Sequence, residues 1–347
     1  MKNGNDILKY ILKRIVLMLF TFIIIFILCF FLIRLLPNEV PSGVGSDPNK
    51  FNDMQVALGR KYYDAELGEY FDTPLLEQFG AFIKNLFKPG KNSDGTVVSR
   101  WGYSWNISYL ETPPSLLSSR FAPTVLINVY SMLFAVPIGL LLGIYMALKK
   151  NKWQDHVLSV LVMIFISVPS FVYAFLVQYI FAYKLEWLPA TRIDYAGSWF
   201  SPDMFKSMIL PVLSMSLGSI AGYSRYTRAE LTEVLTSDFM LLARTKGLTR
   251  GQATIRHAFR NSLVPIFPMI LGEVLSILSG SIIIESIFQV NGVGGLFLQS
   301  IQMRDFDVFQ FVSMFYILIG LIGSLIVDIS YSLVDPRIRM GGGKTNA

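Results

Sequence analysis

The sequence predicts an all-α polytopic membrane protein with six spanning helices, and three observations carry that prediction. Of 347 residues, 53% are hydrophobic and only 16% are charged, whereas soluble chains run near one-quarter charged. Runs of membrane length, roughly 20 residues with few or no charges, recur six times. Basic residues gather in alternate segments between those runs. The net charge of +6 is too small and too scattered for a nucleic-acid binder. A single Cys excludes a disulfide framework, and two His leave little for a His-rich metal site.

The first run, Ile15–Ile33, follows Lys9, Lys13 and Arg14. It is longer than a signal-peptide core and no small-x-small cleavage site follows, so an uncleaved anchor is expected. The second is Val125–Leu148 and the third Val157–Tyr183, both uncharged. The fourth, Met208–Ser224, is the shortest and is rich in Ser and Gly. The fifth, Leu263–Val290, carries Glu273 and Glu285, and the sixth, Val308–Val334, carries Asp328. The expected layout is an N-terminus and anchor (1–36), an outer segment (37–123), a five-helix core (124–334) containing a loop (225–262), and a tail (335–347). The segments 1–14, 149–156, 225–262 and 335–347 hold 17 Lys/Arg against 6 acids, and the opposite side holds 12 against 15. Basic loops stay inside, so both termini are expected in the cytoplasm.

In the outer segment, Asp72-Thr73-Pro74 reads as a helix start. Leu75, Leu76, Phe79, Phe82, Ile83, Leu86 and Phe87 then recur at helical spacing, with Glu77, Gln78, Lys84 and Asn85 opposite. That pattern predicts an amphipathic helix against the outer mouth of the bundle or in the headgroup layer. Trp101, Tyr103, Trp105 and Tyr109 suit an interfacial belt, or more simply the packing of a small cap.

The stretch 225–262 is the most informative. Arg225, Arg228, Glu230 and Glu233 extend the fourth helix past the membrane. Ser237 is placed to cap a helix from Asp238 to Lys246, and Gly247 supplies a left-handed stop. Thr249-Arg250-Gly251-Gln252 has the form of a capping box, so a further helix starts at once and runs toward Arg260. The stretch carries seven Arg/Lys, and its two helices joined by a Gly corner form a rigid protrusion suited to docking a soluble partner. A solvated basic loop would explain the charge but not the back-to-back caps.

Here a family resemblance emerges. Ala243-Arg244-Thr245-Lys246-Gly247-Leu248, followed by Arg256-His257-Ala258-Phe259-Arg260-Asn261-Ser262-Leu263-Val264-Pro265, resembles the EAA loop of ABC-importer permeases. More narrowly, the chain is similar to the B-type permease subunit of dipeptide/oligopeptide importers. Arg34-Leu35-Leu36-Pro37, Pro74-Leu75, Trp101-Gly102-Tyr103-Ser104, Pro123-Thr124 and Ser167-Val168-Pro169-Ser170-Phe171 match in order. So do Trp187-Leu188-Pro189-Ala190, Glu285, Gly292, Gly294, Arg304-Asp305 and Asp335-Pro336-Arg337-Ile338-Arg339. Departures are Leu241 and Leu242 in place of the acid and first Ala, Phe259-Arg260 in place of Leu-Pro, Asn38-Glu39, and Asn291 before Gly292.

The resemblance implies a type I, MetI-like importer core with an added N-terminal helix and a large extracytoplasmic insertion, in a bacterial inner membrane. It implies a second homologous permease, two cytoplasmic ATPase subunits docking on the loop, and an external solute-binding protein that delivers peptide. In that loop the implied docking residues are Asp238, Ala243, Arg244, Lys246, Gly247, Leu248, Arg256 and His257. Relatives of this kind also carry nickel, opines or glutathione. The chain itself would hold no cofactor, ATP and Mg belonging to the ATPases. Gly343-Lys344-Thr345 is no P-loop, because Ile338 stands where the first Gly is required. Leu278-Ser279-Gly280-Ser281 resembles an ATPase signature only in passing.

Charge in a span is costly and needs a partner, water or a function. Glu273, ten residues past Leu263, is expected near the midplane, either facing a shared path, where it would meet a peptide ammonium or a partner subunit, or making a structural interhelix hydrogen bond. Glu285 is expected at an outer gate. Asp328 reads as structural, near Tyr331, Ser332, Arg337 and Arg339. The stripes Ala135, Gly139, Gly143, Ala147 and Gly218, Gly222 predict close helix packing. Pro137, Pro169, Pro211 and Pro268 predict bends. An intramembrane enzyme is disfavoured: both His fall in loops, and Asp328 is the sole Asp in a span. An autonomous channel would not need the paired-helix loop.

Overall fold

The structure, a computed structural model, describes residues 4–36, 47–90, 97–191 and 201–334. In chain order its elements are α1 (Gly4–Arg34), α2 (Pro48–Ala57), β1 (Lys61–Asp64), β2 (Glu69–Asp72), α3 (Leu75–Phe87), α4 (Pro113–Leu148), α5 (Trp153–Ser167) and α6 (Ser170–Gln178). They continue as α7 (Pro202–Leu235), α8 (Asp238–Thr245), α9 (Arg250–Ala253), α10 (Arg260–Ser276), α11 (Ile282–Ile287), α12 (Val293–Gln302) and α13 (Phe306–Val334). Among the described residues five helices are long and apolar enough to cross a membrane, or six with α5 and α6 taken as one bent span.

Several outlines differ from the sequence expectation. The run Val157–Tyr183 is not one rod: its halves meet at 100°. Pro169 holds Val168 in extended backbone, φ −81° and ψ 127°, so α5 must stop and α6 restart. The run Leu263–Val290 is also divided. Regular helix ends at Ser276, Gly280 turns the chain at φ +66°, and Ser281 caps the short α11 through the amide of Ile284. Conversely, α4 begins at Pro113 with Pro123 inside it, well before the expected run Val125–Leu148. The short run Met208–Ser224 lies within the 34-residue α7, capped by Ser201 and continuing through Arg225, Arg228, Glu230 and Glu233 to Leu235. The tail and its Arg337 and Arg339 lie outside the described residues.

One compact unit comprises Met1–Ala122 with Val293–Leu321, so α12 and the first half of α13 group with the outer segment. Its centre is a pair of carboxylates. Asp307 takes a two-pronged ion pair from Arg60, with Nη2 to Oδ1 at 2.6 Å and Nη1 to Oδ2 at 3.1 Å, and Arg34 approaches at 3.9 Å. All three side chains are at most 8% exposed. Asp305 accepts from the Ser104 hydroxyl at 2.6 Å and from the amides of Trp105, Asn106 and Ile107 at 3.1–3.2 Å. Burial pushes the Asp305 carboxyl up, partly offset by those donors; a raised folded-state value favours folding toward low pH, and that contribution declines as pH rises. Three short matches scattered in sequence, at Arg34, Trp101–Ser104 and Arg304-Asp305, are therefore neighbours here.

The α3 helix forms as predicted, but its surroundings invert part of the predicted amphipathic pattern. Phe79 and Phe82 pack on Phe26, Phe30 and Phe31 of α1, with centroids 5.2–5.7 Å apart. Gln78 and Asn85 are buried because they donate to the carbonyls of Thr73 and Leu58, while Leu76 and Phe87 are 77% and 83% exposed. The helix thus braces the anchor. Trp105 packs on Phe51 and Tyr109, and Trp101 on Phe82 and Phe311, which is the cap-packing alternative. The hairpin β1–β2 has no counterpart in the sequence expectation: its four-residue loop is closed by Asp64, which accepts from the amides of Glu66 and Leu67.

The other unit comprises Pro123–Gly292 with Ile322–Ala347. Ile127, Met204, Met208, Leu210, Ile284 and Phe288 form its main buried cluster. The Ala135/Gly139/Gly143 stripe does bring α4 hard against α7: a methyl at Gly139 would lie 2.6 Å from the Tyr223 Cβ, and one at Gly143 2.6 Å from the Ser224 carbonyl. Gly218 is closely approached only by the Tyr173 hydroxyl, 3.0 Å from an added methyl, and Gly222 is not closely packed at all. A methyl at Gly222 would meet nothing within 4 Å, and both glycines line a cleft of about 500 Å³ at the α5–α6 bend.

Breaking a buried ion pair from one side costs about 3–5 kcal/mol. Asp307→Ala should therefore lower the thermal midpoint of the detergent-purified protein markedly. Gly102→Ala should act in the same direction, since Gly102 sits at φ +82° with its Cα against the Asp307 carboxylate. Unchanged melting of both variants would refute the central role of this cluster.

Candidate functional site

The loop between α7 and α10 is built on a small core and one ion pair. Arg228, on the extension of α7, clasps Asp155 at the start of α5: Nε to Oδ1 is 2.6 Å and Nη2 to Oδ2 is 2.7 Å. Asn151, at φ +63°, adds its amide to Asp155. Ala147, Leu231, Met240, Ala243, Ala253 and Ala258 then form a buried cluster. The small residues allow α8 and α9 to lie close to α4 and α7.

Gly247 adopts φ +89°, and the amide of Leu248 returns to the Ala243 carbonyl at 3.4 Å, as a helix stop of this kind requires. The capping box forms reciprocally. Thr249 N donates to Gln252 Oε1 at 3.1 Å, and Gln252 N to Thr249 Oγ1 at 3.3 Å. One expectation is corrected. Ser237 occupies the N-cap position of α8, yet its hydroxyl turns back to donate to the Val234 carbonyl. The helix after the capping box runs to Arg260 as expected, and it passes through a π-helical turn, Thr254–Phe259, directly into α10. The protrusion is thus one free helix and one outgrowth of a span.

Of the loop residues singled out from sequence, Ala243 is buried and Leu248 half-buried in the small core. Asp238, Arg244, Lys246, Gly247, Arg256 and His257 are exposed. Sequence reading misses an apolar component beside them: Phe239, Leu241, Leu242 and Ile255 are 41–72% exposed. The Leu pair stands out in sequence as a departure from the family pattern, but consecutive Leu in a short basic helix is itself a signal for a covered surface. Sequence reading also misses Asp155, whose partner is 73 residues away.

Glu273 sits in the last turn of α10, three residues before its end, rather than mid-span as the unbroken run implied. Ser219 Oγ donates to its Oε1 at 3.0 Å, and the Tyr223 hydroxyl donates to its Oε2. The same carboxylate lines a cleft of about 320 Å³ with Asn128, Ser131, Met215, Ser219 and Ser276. It therefore links α10 to α7 and faces open space at once. Glu285 is 2% exposed, accepts from Thr124 Oγ1 at 2.9 Å, and lies against Gly280 and Gly292. Asp328 lies on α13; the side chains of Tyr331 and Ser332 are outside those described. Among the described residues no group of His, Cys, Asp and Glu is arranged to hold a metal.

Arg228→Ala strands a carboxylate that is 1% exposed, whereas Asp155→Ala frees a guanidinium already 31% exposed. The Arg variant should be the less stable of the two by about 1–3 kcal/mol, read from thermal melting or denaturant midpoints. Equal losses would mean that the pair is not buried as described.

The sequence matches the family model "Binding-protein-dependent transport system inner membrane component" over residues 139–340. It is 32% identical to the glutathione transport system permease protein GsiC of Salmonella choleraesuis, covering 96% of this chain and 99% of that one. It is 31% identical to the dipeptide transport system permease protein DppB of Bacillus subtilis, over 84% and 88% of the two chains. A protein of Brucella ovis described as a peptide permease is 30% identical over 96% and 100%. With its spanning helices and rigid inter-helix loop, the chain belongs to the binding-protein-dependent transport system inner membrane component family and is a permease subunit of an ABC importer.

Proposed function

We propose that this chain is the B-type permease of a peptide importer. It pairs with a second, related permease to enclose the path, both termini lie in the cytoplasm, and an external binding protein delivers the peptide. Hydrolysis of ATP with Mg belongs to two separate subunits that dock on the α8–α9 corner, and this chain contributes no cofactor site. Peptide as substrate is favoured by the names of relatives that span nearly the whole chain, one a dipeptide permease and others glutathione permeases. Glutathione, itself a small peptide, is the second reading.

The observation that carries the docking assignment is the exposed surface of α8 and the following turn. Phe239, Leu241, Leu242 and Ile255 stand among Arg244, Lys246, Arg256 and His257. They are mounted on a core tied to two spans by Arg228–Asp155 and by the unbroken passage of the last turn into α10. An apolar patch with a basic rim suits a groove with an apolar floor and acidic edges. Because the loop has no flexible linker, displacement of a docked partner moves α7 and α10 together. Glu273 and Glu285 belong to this reading as path and gate residues. Glu285, lodged between Gly280 and Gly292, would set the corner at which α11 turns.

The test is co-expression with the neighbouring permease, ATPase and binding-protein genes, followed by purification and reconstitution in proteoliposomes. Recovery of one complex with ATP-driven peptide uptake is expected. Leu241→Asp together with Leu242→Asp should leave the chain in the membrane but reduce ATP-driven uptake at least tenfold and weaken recovery of the ATPase. Uptake at the wild-type rate by that double variant would overturn the docking assignment. Homo-oligomers with ATP-independent flux would overturn the importer reading itself.

A further inference from the structure

We propose that Glu273 is the counter-charge for the substrate's free α-ammonium during passage, so that the cleft between α4, α7 and α10 recognises the amino terminus of a peptide. This rests on the peptide-importer reading above and assigns a specific chemical task to one residue of the path.

The inference starts from what the chain withholds. Where it removes Asp155 and Asp307 from water, it provides each with an arginine. Glu273 is different: its contacts are the hydroxyls of Ser219 and Tyr223, and among the described residues no Lys, Arg or His pairs with it. The cleft around it is lined by Asn128, Ser131, Met215, Gly272, Ser276 and Ile277, with no cation among them. Two hydroxyl donors orient a carboxylate and hold its plane, but they do not balance its charge.

Position adds to the demand. Glu273 lies in the last turn of α10, where unpaired carbonyls make the negative end of the helix dipole. A carboxylate there, within a spanning segment, is disfavoured twice over. A cation entering the cleft relieves both terms. An α-ammonium offers one positive charge and three N–H donors, which fits a carboxylate whose hydroxyl contacts leave lone pairs open and whose neighbours are the neutral acceptors Asn128, Ser131 and Ser276. The volume, about 320 Å³, lies within the roughly 300–1,000 Å³ of small-ligand sites. It suits the end of a peptide rather than a bare ion. Because the binding protein releases its cargo at the mouth, a charge complement inside the bundle is useful only if it holds weakly, and a single carboxylate does that.

The test separates charge from architecture. Glu273→Gln keeps an acceptor for Ser219 and Tyr223 but removes the charge. Tyr223→Phe and Ser219→Ala keep the charge but remove the interhelix hydrogen bonds. The reconstituted importer with its binding protein is assayed for initial uptake of trialanine and for binding-protein-stimulated ATP hydrolysis. Glu273→Gln should lower trialanine uptake about tenfold while stimulated hydrolysis stays within twofold of wild type. Glu273→Asp should restore at least half of the uptake, and Tyr223→Phe and Ser219→Ala, which loosen the carboxylate without discharging it, should each lower uptake clearly less than Glu273→Gln does. Wild-type uptake by Glu273→Gln would overturn the proposal, as would equal losses in all four variants, which would make Glu273 a structural link. Absence of trialanine uptake by the wild-type complex would instead count against the peptide reading on which the proposal rests.

Discussion

A carboxylate taken out of water must find its donors inside the fold, and this requirement organises both units of the chain. Asp307 finds Arg60 and Arg34, and Asp305 finds Ser104 with three consecutive amides. Asp155 finds Arg228, and Glu285 finds Thr124. The shortest of these links in sequence, Arg228 to Asp155, already spans 73 positions. The geometry is exacting because an unpaired ion in such surroundings costs several kcal/mol. Once each set of donors is in place, the intervening segments have little freedom. Gly102 and Gly292 are glycines because the carboxylates they meet leave no room for a side chain.

The contacts differ in what they make possible. Asp305 and Asp307 build a scaffold on which α1, α3 and the start of α13 are held. Arg228–Asp155 gives the α8–α9 corner a stiff root, and the Ala-rich cluster beneath it excludes the slack that would absorb a push. For the coupling role proposed above, that rigidity matters because a displacement at the tip is passed to the spans only if nothing between yields. Glu273 lacks the arginine that Asp155 and Asp307 possess, and unlike the sealed Glu285 it borders a cleft.

Much of this is legible in the sequence wherever the governing interaction is local. The left-handed Gly247 and the capping box at Thr249 and Gln252 follow from residue type and spacing over four positions, and the helix running from Leu75 follows from periodicity. The expectations that fail do so for nonlocal reasons. Gln78 and Asn85 read as solvent-facing because they are polar, yet carbonyls at Thr73 and Leu58 recruit them inward. Ser237 has the right residue for a cap, but the Val234 carbonyl competes for its hydroxyl. Pro169 announces a bend without its size, and the structure shows a 100° turn with Val168 in extended backbone.

The sequence by itself determined that this chain spans a membrane and carries a basic, capped helical loop between two of its helices. Hydropathy over about 20 residues, helix caps and charge placement are short-range properties that the residues carry with them. Only the tertiary structure decided which spans are broken, which polar residues turn inward, and that Glu273 faces a cleft while Glu285 is sealed among glycines. Two glutamates in one apolar run look alike in sequence. What separates them is the company that folding brings: Thr124 and two glycines for one, two hydroxyls and open space for the other.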